Sequence, residues 1–471
     1  DNISLNVTAE KGTNDIAYYH YSKDDGKTWE KKTKNTHTFD GLTDTTTYKI
    51  RVKLEDSEGN FSTEYYANID TETYNYPLVT DLTVDENTIK YNGFKVTATA
   101  TEGTAPIKNY YFSISTDKET WTNESTAQTT NSYTFTDLTA SRAYYVKVRV
   151  VDNNNKETIF ILTTIITTPE MPTPLVTIIK NLYTIDGTNN LYKHDGSGAY
   201  TNVAQEAGDN SYRYAGSSET TNNYVCFGSK ETVCPEDNLY RIIGVFEDRV
   251  KLIKSDYATS DLLGTDGDYD TISDKSSTSK SGLSQSFKYY WSKANKTTTN
   301  TWSISLLNTT NLNVNFINNI GTEWANLIDD TTWYVGGMGW SNGIASSNIA
   351  KTAYNHEVGQ NKTGTTYRSK IGMMYLSDYY YAAAPIHWTK TGSLYNGAVS
   401  DNWMYMGEYE WPISRYSDVT GGAFRIESAG NTYVYGVASD SFAVRPTFYL
   451  KFDVGYIGGD GTANLPYRLS V

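Results

Sequence analysis

Glu408 and Glu410 stand two apart in Gly407-Glu408-Tyr409-Glu410-Trp411. On a strand both would share a face, roughly 6.5–7 Å apart, which is near the separation at which two carboxylates hydrolyse a glycosidic bond. No further acidic residue stands beside them in the pattern to drive their pKa values apart, and a solvated pair on a surface strand is the preferred reading. Gly339-Trp340-Ser341-Asn342-Gly343 fits the G-x-S-x-G of a nucleophile elbow. That elbow needs a strand, a turn and a helix, with an acid and a histidine downstream; His356 and His387 follow, but no parallel-sheet pattern surrounds them. His356-Glu357 opens the H-E-x-x-H of a zinc protease, yet Gln360 occupies its last position. Ser277-Thr278-Ser279-Lys280 matches S-x-x-K inside a Ser/Lys-rich loop, where chance supplies it. These fragments make no complete catalytic set, and the expectation is a protein without enzymatic activity.

Asp266, Asp268 and Asp270 alternate in Leu-Leu-Gly-Thr-Asp-Gly-Asp-Tyr-Asp. Calcium is the cation such oxygen ligands would take, but the Gly and Glu that complete an EF-hand loop are missing. A solvated acidic turn is preferred, and no cofactor or metal is expected. Cys226 and Cys234 are the only cysteines. Two thiolates fall short of the four ligands of a structural zinc site. Their closeness in a Gly/Ser/Pro-containing loop favours a local disulfide over two free thiols, and a disulfide implies an oxidising exterior.

Binding chemistry is better represented than catalysis. In residues 401–450 a bulky set, Trp403, Trp411, Phe424, Val434, Val444, Pro446 and Phe448, is interleaved with Tyr, Ser, Asp, Gly, Asn and Thr. The second set resembles a paratope, in which Tyr gives rigid contact area and Ser, Gly and Asn give adaptable hydrogen bonds. Ordinary polar surface loops are the plain alternative.

The elements that must position these residues follow from the rest of the chain. At 471 residues it suits several domains rather than one core. A net charge of -14 argues against nucleic acid and anionic membrane as partners. With 14% aromatic residues, 41 of them Tyr, the chain is not of disordered type. No apolar run is long enough to span a membrane. The start, Asp-Asn-Ile-Ser-Leu-Asn-Val, has neither a basic nor an apolar leader and is expected to be that of a mature or trimmed ectodomain.

An internal repeat with a period of about 96 residues covers the first third: Phe39 matches Phe135, Leu42 matches Leu138, Tyr48 matches Tyr144 and Asp56 matches Asp152. Ile50, Val52 and Leu54 alternate as a half-buried strand requires. Tyr48 and Tyr144 each open a strand after a Leu-Thr turn, where a tyrosine-corner hydroxyl would meet upstream backbone. Core packing is expected of Trp29 and Trp121. Pro169, Pro172 and Pro174 stiffen a linker. Beyond it, strand-like runs such as Leu239–Phe246 dominate, and the segments Leu-Ser-Gln-Ser-Phe-Lys-Tyr-Tyr-Trp-Ser-Lys (283–293) and Asn315–Asp330 each suggest a short amphipathic helix, the second with Phe316, Ile320, Trp324 and Leu327 at helical spacing. Trp291, Trp302, Trp324 and Trp333 are expected to be structural. The expected domains are 1–72 and 73–168, two sandwich modules; 169–176, a Pro-rich linker; and 177–471, a C-terminal ligand-binding domain.

The paired motifs of residues 1–168 resemble fibronectin type III modules of bacterial surface proteins, which usually act as spacers. The blocks NYVCFGSKETVCPEDNLYRIIGVF, LLGTDGDYD with KYYW after it, IGTEWANLI, IGMMYLSDYYYA, NWMYMGEYEWPISR, GAFRIESAG and AVRPTFYLKFDVGYIGGDGTANLPYRL, within about 220–471, resemble secreted or surface proteins of Gram-positive gut bacteria and their phages. Many such proteins look like variable proteins of diversity-generating retroelements, with C-type-lectin-like domains of the formylglycine-generating-enzyme type. The resemblance implies a mainly β chain, two immunoglobulin- or fibronectin type III-like sandwiches followed by a loop-rich α+β C-type-lectin-like domain. Its framework would be Trp403, Trp411, Phe424, Arg425, Arg445, Pro446 and Tyr449. Its variable, ligand-facing residues would be Tyr405, Glu408, Tyr416, Asp418, Thr420, Asn431, Tyr433, Tyr435, Ser439 and Asp440, with Tyr379, Tyr380 and Tyr381 as a rim. Arg445, between apolar residues and before Pro446, is expected to pair internally. Pro412 departs from the strand-like family pattern. The enzyme that names the fold uses a cysteine pair near its reactive centre, whereas both cysteines here lie far upstream, so oxidase chemistry does not carry over. The implied function is a cell-surface adhesin or pilus-tip-like protein that binds a protein or glycan on a host or bacterial surface, with neither nucleic acid nor membrane insertion. A phage receptor-binding protein on the virion is the alternative, and a surface enzyme acting on glycans the second.

Overall fold

The computed structural model describes residues 2–122, 124–197, 205–270, 276–278, 284–286, 288–293, 299–336, 338–339, 349–362, 364–390, 392–437 and 440–471. The chain divides into two compact units, Asp1–Met171 and Pro172–Val471.

The first unit contains two β-sandwich modules. In the first module the strands are β1 (Asn2–Asn6), β2 (Ile16–Ser22), β3 (Glu30–Lys32), β4 (Thr36–Asp40), β5 (Thr47–Asp56) and β6 (Tyr65–Asp70), arranged as a pair β1-β4 and a sheet β3-β2-β5-β6. In the second they are β7 (Leu78–Lys90), β8 (Gly93–Thr101), β9 (Ile107–Ser115), β10 (Ser132–Phe135), β11 (Ala143–Asp152), β12 (Glu157–Ile161) and β13 (Ile166–Thr167). One sheet runs β10-β8-β7; β11 pairs with β9, β12 and β13. Period-two alternation sends Phe112, Ile114, Val146, Val148 and Val150 into the core between the sheets. The repeat holds at the level of single bonds. Val7 N donates to Asn35 O and Ala98 N to Asn131 O, both at 2.8 Å. Thr43 N donates to the Tyr48 hydroxyl and Thr139 N to the Tyr144 hydroxyl, both at 2.9 Å, so both tyrosine corners are formed. Trp29 and Trp121 are not core residues. Both are half-buried, with the Lys53 ammonium 4.2 Å from one ring and that of Lys147 4.6 Å from the other.

In the second unit Pro174 bridges to Gly455 and caps a helix, α1 (Leu175–Asn181), whose Leu175 is 1% exposed. Residues 172–176, read above as linker, are therefore part of this unit. Its main sheet is antiparallel, in the order β14 (Leu191–Lys193), β15 (Tyr212–Tyr214), β17 (Leu239–Phe246), β18 (Arg249–Lys254), Thr447–Tyr449 and Ile371–Gly372, with β16 (Tyr224–Cys226) also on β17. A bulge lies between Ile242 and Gly244, where a Cβ on Gly244 would stand 2.2 Å from the Tyr212 carbonyl oxygen; only glycine lets β15 approach there. Cys226 and Cys234 are joined as a disulfide, with Cα atoms 5.8 Å apart. The core of this unit holds Trp291, Trp302, Trp324 and Trp333, as expected. Of the two expected helices, the second forms as a π-helical stretch Leu307–Phe316 and helices Ile317–Ile320 and Thr322–Ala325, broken where Gly321 has φ 82°. The first does not form: its described residues include the strands Ser284–Ser286 and Tyr289–Tyr290. Tyr289 is drawn into the core, where its hydroxyl donates to Gly264 O, and this tertiary demand outweighs a weak helical period.

Candidate ligand-binding face

The C-terminal segment places most of the expected contact residues on or beside a two-stranded ribbon, Gly422–Ile426 paired with Thr432–Gly436. Alternation sets its two faces. Phe424 and Ile426 are buried with Thr432, while Arg425 lies opposite Tyr433 on the other side. Gly430 turns the ribbon with φ 86°; a Cβ there would also meet Val399 Cγ1 at 2.2 Å. The turn is held from below: the Tyr405 hydroxyl donates to Ser428 O at 2.6 Å, that of Tyr379 donates to Gly430 O at 2.9 Å, and Tyr380 and Thr432 share a hydroxyl–hydroxyl bond.

A stack of rings climbs from the core to this face. Trp411 meets Phe442 at 4.5 Å, and Phe442 stacks with Tyr409 at 5.5 Å. The Arg425 guanidinium sits 4.5 Å from the Tyr409 ring and 5.1 Å from that of Phe442, and its Nη2 donates to Glu427 Oε1 at 2.7 Å. Arg425 is 7% exposed, whereas Tyr409 is 37% and Tyr433 51% exposed. The face thus offers two tyrosine rings to solvent around a cation whose geometry is fixed from beneath.

The neighbouring loop is tied down by Asn300, whose Nδ2 donates to the carbonyls of Tyr416, Val419 and Gly422 at 2.7–2.9 Å. Asp418, Val419 and Thr420 are exposed on it. Tyr416 is not ligand-facing: it is 5% exposed, its ring against Phe424. Tyr379, Tyr380 and Tyr381 form no rim either. All are 0–1% exposed, because the ribbon and Arg213 use them as supports from the inner side. Tyr405 is half-buried and bound to the ribbon turn; Glu408, Asn431 and Asp440 are half-buried. Tyr435 lies on the strand, and Ser439 lies outside the described residues. Tyr409, Val419 and Glu427 complete the face and were not anticipated. The signal for Tyr409 was present, since extended backbone that turns Glu410 inward turns Tyr409 outward.

Trp403, Trp411, Phe424 and Arg445, expected as framework, are buried, each 1% exposed or less. Glu410 is buried and bound to Arg445, which separates it in role from Glu408. The Asp triplet does not converge on one point. Asp266 Oδ1 accepts from Asn315 Nδ2, Asp268 from the backbone N–H groups of Lys293 and Leu307, and Asp270 from the Ser441 hydroxyl. No group of three metal-ligating side chains occurs among the described residues. Glu357 accepts from the backbone of Leu376 and Ser377 and from the Ser414 hydroxyl; burial pushes its carboxyl up, against these bonds. Trp340 to Gly343 of the G-x-S-x-G match, and Ser279 and Lys280 of S-x-x-K, lie outside the described residues. Among the described residues no helix is long and apolar enough to cross a membrane.

No protein-family model matches the chain, and no curated protein matches it. Among solved structures, it is similar to fibronectin(III)-like modules of CbhA from Clostridium thermocellum, at 16% identity over 36% of this chain and 86% of that one, with a TM-score of 0.19. It is also similar to domains A168–A170 of titin, at 13% identity over 36% of this chain and 59% of that one, TM-score 0.23. Domains FN1–FN3 of chicken CNTN1 match at 14% identity over 36% and 62%, TM-score 0.20. The two modules are defined by their own strand pairings.

Proposed function

We propose that the chain is an extracellular cell-surface protein of adhesin type, whose second unit, read as a C-type-lectin-like variable domain of the retroelement-diversified kind, binds a protein or glycan on another cell. The observation that carries this reading is the exposure of Tyr409 and Tyr433 around the anchored Arg425. Tyr and Arg are the residues in which binding energy concentrates at interfaces, and here they stand on a ribbon whose inner face is locked by buried aromatics. The disulfide fits an oxidising exterior, and the sandwich modules fit a spacer. Binding is favoured over catalysis because the buried carboxylates Glu410 and Glu357 are committed to internal partners.

The test is a screen of the whole chain and of residues 172–471 against glycan arrays and cell surfaces. Both should bind the same targets, and Tyr409→Ala with Tyr433→Ala should abolish binding at an unchanged melting temperature. Binding that survives the double substitution would place the site elsewhere. The cut belongs after Met171, since removing Pro174 and Leu175 would open the core of the second unit.

A further inference from the structure

Lys251 and Asp378 are 127 residues apart in sequence and meet inside the second unit, Nζ to Oδ2 at 2.5 Å, with side chains 0% and 2% exposed. Among the described residues, every other lysine ion pair has at least one partner that solvent reaches. Lys251 comes from β18 and Asp378 from the helix Leu376–Tyr381. Their surroundings are aromatic: the ring centroids of Tyr375, Tyr449, Phe246 and Trp333 lie 4.4, 5.3, 5.5 and 5.6 Å from Nζ. An ammonium has three donors, yet among the described residues Asp378 supplies the one oxygen that Lys251 bonds. The pair has given up its hydration for that single bond and ring faces, a costly state for two ions.

Asp378 is fixed from two further sides. Its Oδ2 also accepts from Tyr375 N at 2.8 Å, and Arg213 Nη1 lies 3.7 Å from its Oδ1. Arg213, 2% exposed, is itself held by the Asp209 carboxylate and the Ser211 hydroxyl, at 2.8 and 2.9 Å. With a carbon–oxygen bond of about 1.2 Å, Nζ is at most about 3.7 Å from Cγ, close to the separation of about 3–3.5 Å from which positioned atoms react.

We propose that Lys251 and Asp378 condense after folding into an internal amide cross-link between Nζ and Cγ. One ammonium proton passes to Oδ2, which leaves a neutral amine beside a carboxylic acid. The Nζ lone pair attacks Cγ, and negative charge builds on Oδ1 toward the Arg213 guanidinium. The Cγ–Oδ2 bond then breaks, and the hydroxyl takes a second proton from Nζ and departs as water. No oxidant, reductant or co-reactant is required. Both residues line a cavity of about 210 Å³ whose rim includes the exposed Glu247 and Thr332, so the water has an exit.

The charges balance on both sides of the step. Before it, Lys251 and Arg213 face Asp378 and Asp209; after it, Arg213 keeps Asp209 and no buried charge is left alone. The buried pair of Arg445 and Glu410 has no such route, because a guanidinium stays protonated. The bond would tie the main sheet to the helix whose Tyr379 and Tyr380 hold the ribbon turn.

Intact-mass measurement on the denatured 471-residue chain, with its disulfide reduced, is the test. The expected mass is that of the sequence less one water, and digestion should release a branched peptide joining Lys251 to Asp378. Lys251→Arg keeps the charge and should show the full mass. Should that variant fail to fold, the branched peptide of the unaltered chain decides alone. A folded, unaltered chain at full mass means a plain ion pair and overturns the proposal. So does a loss of water that persists in folded Lys251→Arg, the mark of a cyclic imide at an aspartate, or a branch that joins other residues.

Discussion

Arg445 grips Glu410 at two points: its Nε donates to Oε1 at 2.7 Å and its Nη2 to Oε2 at 3.0 Å, with the two side chains 1% and 2% exposed. Nη2 also donates to Met404 O at 2.8 Å. Glu410 in turn exchanges both backbone bonds with Ile426, at 3.0 and 2.9 Å, so this ion pair anchors the segment to which the ribbon is bridged. Removing one partner leaves a buried charge alone. Arg445→Met or Glu410→Leu should each cost about 3–5 kcal/mol, while the two together should cost much less. Urea denaturation of the three variants checks this; single variants as stable as the parent would deny the pair its anchoring role.

Exposed and buried tyrosines of the C-terminal segment should separate cleanly. Tyr433→Ala should weaken binding by a factor corresponding to about 2 kcal/mol and leave the melting temperature alone. Tyr416→Ala removes a buried ring packed on Phe424 and should lose about 3 kcal/mol of stability. Thermal melts and binding assays on the same two variants read both effects. A stable Tyr416→Ala with reduced affinity would return that residue to the ligand set.

What was legible in the residues was what local rules govern. The spacing of Phe39, Leu42 and Tyr48 and of their partners at 135, 138 and 144 follows from strand alternation and a turn, so the repeat and both tyrosine corners were readable. The closeness of Cys226 and Cys234 was enough for their pairing, and the apolar flanks of Arg445 for its inward turn. What failed depended on packing over long separations. Tyr416 and Tyr379–Tyr381 have the composition of contact residues, and tertiary packing buries them: the ribbon covers Tyr416, Tyr379 and Tyr380, and Arg213, His194 and Trp388 surround Tyr381. Tyr289 lies in a segment with helical spacing, but the core draws it into a short strand. Trp29 and Trp121 have the look of core residues and instead lie under lysine ammonium groups on a sheet surface.

The disulfide should matter locally. Its closed loop is short, since the cysteines are 8 residues apart, and the chain-entropy effect is roughly 2–3 kcal/mol. Cys226→Ala with Cys234→Ala should lower the stability of the second unit by this amount without altering the melt of the first. Peptide mapping without reduction should recover the linked pair; two free thiols in the native protein would refute the pairing.

Acid should weaken the second unit at Asp209. Burial raises its pKa, but the Arg213 guanidinium at 2.8 Å and the bonds from Ser211 outweigh that and hold the carboxyl at about 2. Because the folded value lies below the unfolded one, the stabilisation is present in full above the unfolded value near 4 and is lost as pH falls through about 2. The amount is about 2 kcal/mol. Denaturation midpoints measured from pH 6 to pH 2 should fall more steeply for the parent than for Asp209→Asn. Equal slopes would mean the pair is not formed in solution.

The placement of tryptophan makes the two units optically distinct. Trp291, Trp302, Trp324, Trp333, Trp388, Trp403 and Trp411 of the second unit are all 7% exposed or less, while Trp29 and Trp121 of the first are half-buried and beside ammonium groups. Native emission is therefore dominated by indoles in a dry, short-wavelength environment, and its red shift reports the melting of the second unit almost alone. The two sandwich modules, rich in tyrosine, are left to the far-ultraviolet signal of their strands.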